Sequence, residues 1–256
     1  MSNRLEHKSA LVTGATSNIG RAIALAFAAE GAHVAVSGRS RKRGEEVVAA
    51  IRAAGGKADF LPADLNGGAA ASRALAEEAA AVLGGRIDIL VNNAGIYPSP
   101  TTPGTDEETF DRIYAVNVKA PFFLTAAVAP AMIAAGGGTV INLGSWIARL
   151  GIPIGAVYSS SKGAMEVLTR AWAAEFGPRG VRVNAISPGV VHTPIPAGAD
   201  AHPGDIMMKG TPAGTFGLPE AIARAAVYLA SDEASFVHGT VLDVDGGRTG
   251  VAVVAA

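Results

Sequence analysis

Residues 9–20 read Ser9-Ala-Leu-Val-Thr-Gly-Ala-Thr-Ser-Asn-Ile-Gly20, and the change of character along them decides the fold. Ser9–Thr13 is short, apolar and bounded by glycine, as a buried strand is. From Ile19 to Ala29 the apolar residues recur at helical spacing. Strand, tight turn and helix in that order open a βαβ unit. Gly14 and Gly20 give the turn its small size. Asn18 stands where a middle glycine is usual, and asparagine is the side chain that best tolerates a left-handed backbone. Such a turn brings the free N–H groups of a helix N-terminus up to a pyrophosphate. Ser17 and Ile19 flank Asn18 in that turn.

The same alternation continues to the end of the chain. His33–Ser37, Ala58–Leu61, Ile87–Asn92, Gly138–Asn142, Val181–Ile186 and Thr240–Val244 read as strands. Lys42–Ala54, Ala69–Leu83, Glu107–Tyr114, Val118–Ala135, Ala156–Phe176 and Ile222–Ala230 read as helices. The strands are apolar throughout rather than alternating, so both their faces are covered. This predicts one α/β domain over 1–256, a Rossmann-type, doubly wound parallel sheet of about seven strands with helices on both faces. The stretch 189–217 is rich in Pro, Gly and Ala, and so long a connection predicts a lid over a site.

Composition excludes several classes. The 256 residues are 49% hydrophobic and 17% charged with a formal net charge of −1, so the basic excess of a nucleic-acid surface is missing. Without cysteine there is no disulfide, thiolate chemistry or Cys-ligated metal. The five histidines lack ligand spacing, and no metal is expected. The opening MSNRLEHKSA lacks a signal peptide's apolar core, and Pro121–Ala135 falls short of the ~20 residues of a membrane span. A cytoplasmic protein with no membrane or nucleic-acid partner is expected.

The end of the second strand bears on which dinucleotide such a turn would hold. An NAD site normally has a carboxylate there for the ribose diol. This strand ends Ser37-Gly38-Arg39-Ser40-Arg41-Lys42-Arg43, with no acid before Glu45. Cations around the first turn of a helix oppose the macrodipole, and a bound 2′-phosphate would offset that. NADP(H) is therefore preferred, with Arg39 as phosphate ligand and Ser40 or Arg41 assisting; NAD(H) remains the alternative.

Tyr158-Ser-Ser-Ser-Lys162 lies in a helical stretch. Residues at i and i+4 project from one side of a helix. An ammonium near a phenol favours the phenolate and would make Tyr158 an acid–base group. With this pair the chain resembles the classical short-chain dehydrogenase/reductase family along essentially its whole length. The matching pieces are TGATSNIG at 13–20, Asp64 in PADL, NNAG at 92–95, Asn117 in AVNV, Ser145 in INLGS, YSSSK at 158–162, PGVVHT at 188–193 and VDGG at 244–247.

The resemblance implies roles. Tyr158 would be the general acid in reduction and the base in oxidation. Lys162 would lower its pKa and hold ribose hydroxyls. Ser145 would bind the substrate oxygen, and Asn117 would support a proton relay. Asn92, Ala94 and Gly95 would flank the adenosine ribose. Asp64 and Leu65 would meet the adenine, although Asp64 could equally cap the helix after it. Pro188, Gly189, Val191 and Thr193 would orient the carboxamide, and Ile19 would lie beside the nicotinamide. The enoyl-reductase branch is disfavoured, because its tyrosine and lysine lie further apart. Ile96, Tyr97, Trp146, Val190 and His192 would line a mostly apolar pocket for a small carbonyl or alcohol substrate. A 3-oxoacyl-thioester reductase resembles the chain in pattern, and an NAD-dependent alcohol or sugar dehydrogenase is a further alternative. A nucleotide-binding regulator without catalysis is the reading from another class. Family members pair the helices corresponding to 118–135 and 156–176, which implies a homotetramer, or failing that a dimer.

Overall fold

The computed structural model describes residues 3–153, 155–192 and 205–252. Seven strands form one parallel sheet: β1 Ser9–Val12, β2 His33–Gly38, β3 Lys57–Pro62, β4 Ile89–Asn92, β5 Gly138–Leu143, β6 Val181–Pro188 and β7 Val241–Val244. Their order across the sheet is β3-β2-β1-β4-β5-β6-β7. The described residues form eight α-helices, α1 Asn18–Ala29, α2 Arg41–Ala53, α3 Ala69–Val82, α4 Glu107–Tyr114, α5 Ala120–Ala134, α6 Ala156–Phe176, the short α7 Asp205–Met208 and α8 Pro219–Ala230.

Alternate strand residues serve opposite faces. Ala10, Val12, Ile89 and Val91 join one core with residues of α1, α2 and α8. Leu11, Leu90 and Val140 join a second core with residues of α3, α5 and α6. Two cores on one sheet explain why the strands read as apolar without alternation.

Three local features differ from the sequence reading. The fourth strand begins at Ile89 rather than Ile87, since Asp88 turns its carboxylate to the Ser9 backbone N–H at 2.9 Å. Between α4 and α5 the helix continues through one π-helical segment, Ala115–Lys119. The resulting run Glu107–Ala134 has the length and composition of a membrane span. Its Leu124, Val128 and Met132 are spent in the second core. Finally, α7 lies inside the stretch expected to be irregular. Thr193 and the rest of 193–204 lie outside the described residues, as do 253–256.

The chain moves from β1 outward to β3, then returns to place β4 against the other side of β1. The connections after β1 and β4 therefore diverge and leave a crevice at the carboxyl ends of these strands. In open α/β sheets this switch point is where ligands bind.

Candidate active site

The first wall of the crevice is the turn between β1 and α1. Asn18 has φ +44°, the left-handed backbone its identity suggested. A side chain on Gly20 would put its Cβ 2.3 Å from the Gly14 carbonyl oxygen, so the turn closes only around glycine. Ser17 is extended and does not cap the helix with its side chain. Among the described residues the N–H groups of Asn18, Ile19 and Gly20 find no hydrogen-bond acceptor. The Asn18 Oδ1 is buried and likewise unpartnered. A helix start left open in this way suits an anionic phosphate group.

The second wall follows β4. Thr13 Oγ1 accepts from the backbone N–H groups of Asn93 and Ala94, each at 3.0 Å. The Asn93 amide returns to the carbonyls of Thr13 (2.8 Å) and Gly14 (3.2 Å). These two residues, which the sequence reading left without a role, bolt the walls together. The Asn92 side-chain amide donates to Thr125 Oγ1 at 3.1 Å and Asn142 Oδ1 at 2.9 Å. Asn142 passes the chain on to Thr169 at 2.8 Å. The residues of this network are buried.

The end of β2 meets the turn through the Ala15 N–H, which donates to the Ser37 carbonyl at 2.8 Å. Arg39 follows, exposed, and forms no ion pair among the described residues. Ser40 caps α2, its hydroxyl accepting from Arg43 N at 3.4 Å. At the end of β3, Asp64 is exposed and accepts from Asn66 N at 3.0 Å, the capping role weighed as its alternative; Leu65 is buried beside it.

The chemistry-bearing group converges at the ends of β4 and β5 and on α6. Ser145 begins the turn after β5 and is 8% exposed. It lies beside the Tyr158 hydroxyl, close enough to lower the phenol's pKa. Burial pushes the Tyr158 phenol above its ordinary range, Ser145 pulls it back, and the neighbouring Tyr97 raises it further. Lys162 Nζ lies 5.9 Å from the Tyr158 ring centroid and donates to the Leu143 carbonyl at 2.8 Å. Burial lowers the Lys162 pKa from 10.5 to about 8. Desolvation dominates both groups, and Ser145 supplies the opposing interaction.

Asn117 sits in the π-helical segment and is 2% exposed. Its Oδ1 accepts from Ile96 N at 2.9 Å, and its Nδ2 donates to the Ile96 carbonyl at 2.9 Å and Ser161 Oγ at 3.0 Å. A Cβ on Gly95 would lie 3.4 Å from Asn117 Oδ1 and 3.6 Å from Lys162 Nζ, which places Gly95 against both. Two of the serines in YSSSK do more than stay small. Ser160 Oγ accepts from the Tyr114 hydroxyl at 2.9 Å and Ser161 Oγ accepts from Asn117. They join α4 and the π segment to the catalytic helix.

Around this group stand the expected wall residues. Tyr97 is 72% exposed and meets the Tyr158 ring edge-on with centroids 6.5 Å apart. Trp146 is buried, while Ile96, Val190 and His192 are half-buried. Pro188 ends β6, and Gly189 follows with its N–H on the Val244 carbonyl at 3.0 Å. Val191 forms a parallel bridge with Gly217, and His192 lies 4.9 Å from the Phe216 ring. Thr193 lies outside the described residues. The sequence reading also missed Arg149, whose guanidinium bridges Asp243 on β7 (2.8 Å) and Glu166 on α6 (3.4 Å).

A switch-point crevice beside a Ser–Tyr–Lys group is the arrangement of a dinucleotide-dependent oxidoreductase. The profile described as "Enoyl-(Acyl carrier protein) reductase" matches residues 14–249. The D-threitol dehydrogenase of Mycolicibacterium smegmatis is 40% identical over 247 residues, 96% of this chain and 94% of that protein. The 3-oxoacyl-[acyl-carrier-protein] reductase of Thermotoga maritima is 37% identical, covering 95% of this chain and 98% of its own. Among solved structures, a candidate NAD(P)-dependent gluconate 5-dehydrogenase from Beutenbergia cavernae with NADP bound at low occupancy is 39% identical, with a TM-score of 0.90 over 98% of this chain and 100% of that one. The chain belongs to the short-chain dehydrogenase/reductase family.

Proposed function

We propose that this chain is an NADP(H)-dependent oxidoreductase that interconverts a ketone and a secondary alcohol. The observation that carries the reading is the convergence of Ser145, Tyr158 and Lys162 beside the switch-point crevice. A bound nicotinamide supplies or accepts a hydride at its C4. In the reducing direction Ser145 hydrogen-bonds the carbonyl oxygen, and Tyr158 gives that oxygen its phenolic proton as negative charge develops there. The tyrosinate left behind is stabilised by the Lys162 ammonium. That ammonium keeps two donors beyond the one it gives Leu143. In the oxidising direction Tyr158 takes the proton back.

The open N–H groups of Asn18, Ile19 and Gly20 would hold the pyrophosphate. Arg39, with Ser40, would take the 2′-phosphate, since an unpaired cation stands where an NAD site would present a carboxylate. Asp64, Leu65, Ala94, Gly95, Pro188, Gly189, Val191 and Thr193 would complete the cofactor's surroundings. NADP in the Beutenbergia structure is in keeping with this choice. The similar proteins are named for a polyol, an acyl thioester and a sugar acid, so their names do not single out a substrate. Ile96, Tyr97, Trp146, Val190 and His192 would wall a pocket for a small organic carbonyl. A cytoplasmic homotetramer completes the reading.

The test is a fluorescence titration with NADPH and separately NADH, followed by assay of a ketone panel with the wild type and Tyr158→Phe. Selective NADPH binding that Arg39→Ala weakens supports the cofactor assignment; equal or better NADH binding overturns it. Turnover lost in Tyr158→Phe supports the chemistry. Tight NADPH binding with no turnover across the panel would favour a nucleotide-binding regulator.

A further inference from the structure

The last strand runs into Asp245, and the residues after it turn back over the carboxyl ends of the sheet. Asp245 fixes that turn. Its carboxylate accepts from Gly247 N at 2.9 Å, Thr249 N at 2.8 Å and Thr249 Oγ1 at 2.5 Å. Arg248 projects from this braced turn. Its guanidinium carbon lies 4.3 Å from the centroid of the Trp146 ring, which is 6% exposed and follows Ser145 directly in the chain.

The donors of Arg248 are unevenly used. Nη1 donates to the carbonyl of Met207 in α7. Nε is buried with no hydrogen-bond partner, and Nη2 makes no hydrogen bond among the described residues. No described carboxylate lies within ion-pair distance. Asp245 is committed to its own turn, and Asp243 is held by Arg149. A guanidinium packed on an aromatic ring with an idle pair of donors is unsatisfied in charge and in hydrogen bonding. The edge left idle, Nε with Nη2, is the fork that matches the two oxygens of a carboxylate.

The geometry points to Arg248 as the anchor for a carboxylate on the substrate, which makes the substrate class a keto acid or the corresponding hydroxy acid. This rests on the oxidoreductase reading of Ser145 and Tyr158, where the substrate's carbonyl would sit. Trp146 touches Arg248 and adjoins Ser145, so one side chain forms the floor between the anchored end and the reacting end. The Met207 contact ties the anchor to α7.

The test uses levulinate and its one-carbon-longer homologue, each against its methyl ester, with NADPH as reductant. Acid and ester share the ketone and differ in the charge at the far end. The wild type is expected to favour acid over ester by roughly tenfold or more in kcat/KM, the worth of a charge-assisted fork. In Arg248→Met, which keeps the aliphatic packing on Trp146, the ratio should fall to near one. Arg248→Lys, which keeps the charge and loses the fork, should lie between. Circular dichroism checks that each variant folds. Equal kcat/KM for acid and ester in the wild type, or a ratio that Arg248→Met leaves unmoved, overturns the inference. If nothing in the panel is reduced although NADPH binds, the reading of the Ser145–Tyr158 chemistry is what fails. The anchor is then judged by quenching of Trp fluorescence in the NADPH complex. Saturable quenching by the acids but not the esters, lost in Arg248→Met and in Trp146→Phe, upholds it; the absence of such quenching overturns it.

Discussion

Tyr158 and Lys162 show how far a pair of letters can be read. Their spacing of four placed both on one side of a helix, and the structure keeps them there, 5.9 Å from ammonium to ring centroid. What the spacing could not convey is how little water reaches them. Burial raises the phenol and lowers the ammonium to about 8, so each group is held nearer its neutral form. Tyr158→Phe should lower turnover by about 10²- to 10⁴-fold, the range for a lost acid–base group, with NADPH binding unchanged. Lys162 also makes a stability prediction. Its folded pKa lies below the unfolded value of 10.5, so below about pH 8 both states are protonated and the full penalty of the buried charge is present. Between about 8 and 10.5 the unfolded state binds more protons, and stability rises with pH. That interval corresponds to on the order of 3 kcal/mol. Lys162→Met should therefore stabilise the cofactor-free protein at pH 7 by about 1–3 kcal/mol, less what the Leu143 carbonyl loses with its donor. The gain should shrink towards pH 10. Urea denaturation of both proteins at the two pH values measures it, and a less stable variant at pH 7 would mean that the ammonium is well solvated.

At the scale of elements, most of the fold was legible because apolar strands and periodic helices announce themselves. Asn18 was legible too, since few residues other than glycine occupy the left-handed region readily, and it stands at φ +44°. Asn18→Ala should cost about 1 kcal/mol, the price of that backbone for an ordinary side chain, while Asn18→Gly should be close to neutral. Thermal melts of the two variants separate them. The π-helical segment Ala115–Lys119 was not legible: it differs from an α-helix by one residue of register, and AVNVK carries no residue that demands it. Yet that extra width sets Asn117 where it can serve Ile96 and Ser161 at once. Asn117→Ala strips three hydrogen bonds in a buried place and should cost about 1–3 kcal/mol for the groups left unsatisfied. Ser161→Ala removes one of those contacts and should cost less. Chemical denaturation of the two variants ranks them; equal losses would show that the Ile96 bonds contribute little. Nor was α7 legible, because a four-residue helix is too short to show a period. Arg248 escaped for a related reason. The sequence places no candidate residue after VDGG at 244–247, and the Asp245 bonds that brace the turn carrying Arg248 have no signature in it.

At the scale of the molecule, the sheet is covered on both faces but not at its margins. Strand β7 is an edge of the sheet. Near it the chain leaves Phe236 fully exposed and Tyr228 36% exposed. On the other helical layer, Val167 on the catalytic helix is 58% exposed and Phe122 on α5 is 42% exposed. Two separate groups of exposed apolar side chains would suit the two kinds of two-fold contact that the proposed tetramer needs. A charge placed in one group should open one contact and leave the other. Val167→Glu and Phe236→Glu should each yield a dimer by light scattering on a sizing column, and the double variant a monomer. The wild type should elute at four times the chain mass, and a wild-type monomer would refute the assembly. Because α6 carries Tyr158 and Lys162 on one side and Val167 on another, the contact through Val167 would also brace the catalytic helix. The Val167→Glu dimer should accordingly lose turnover, while the Phe236→Glu dimer, split at the far edge of the sheet, should lose less.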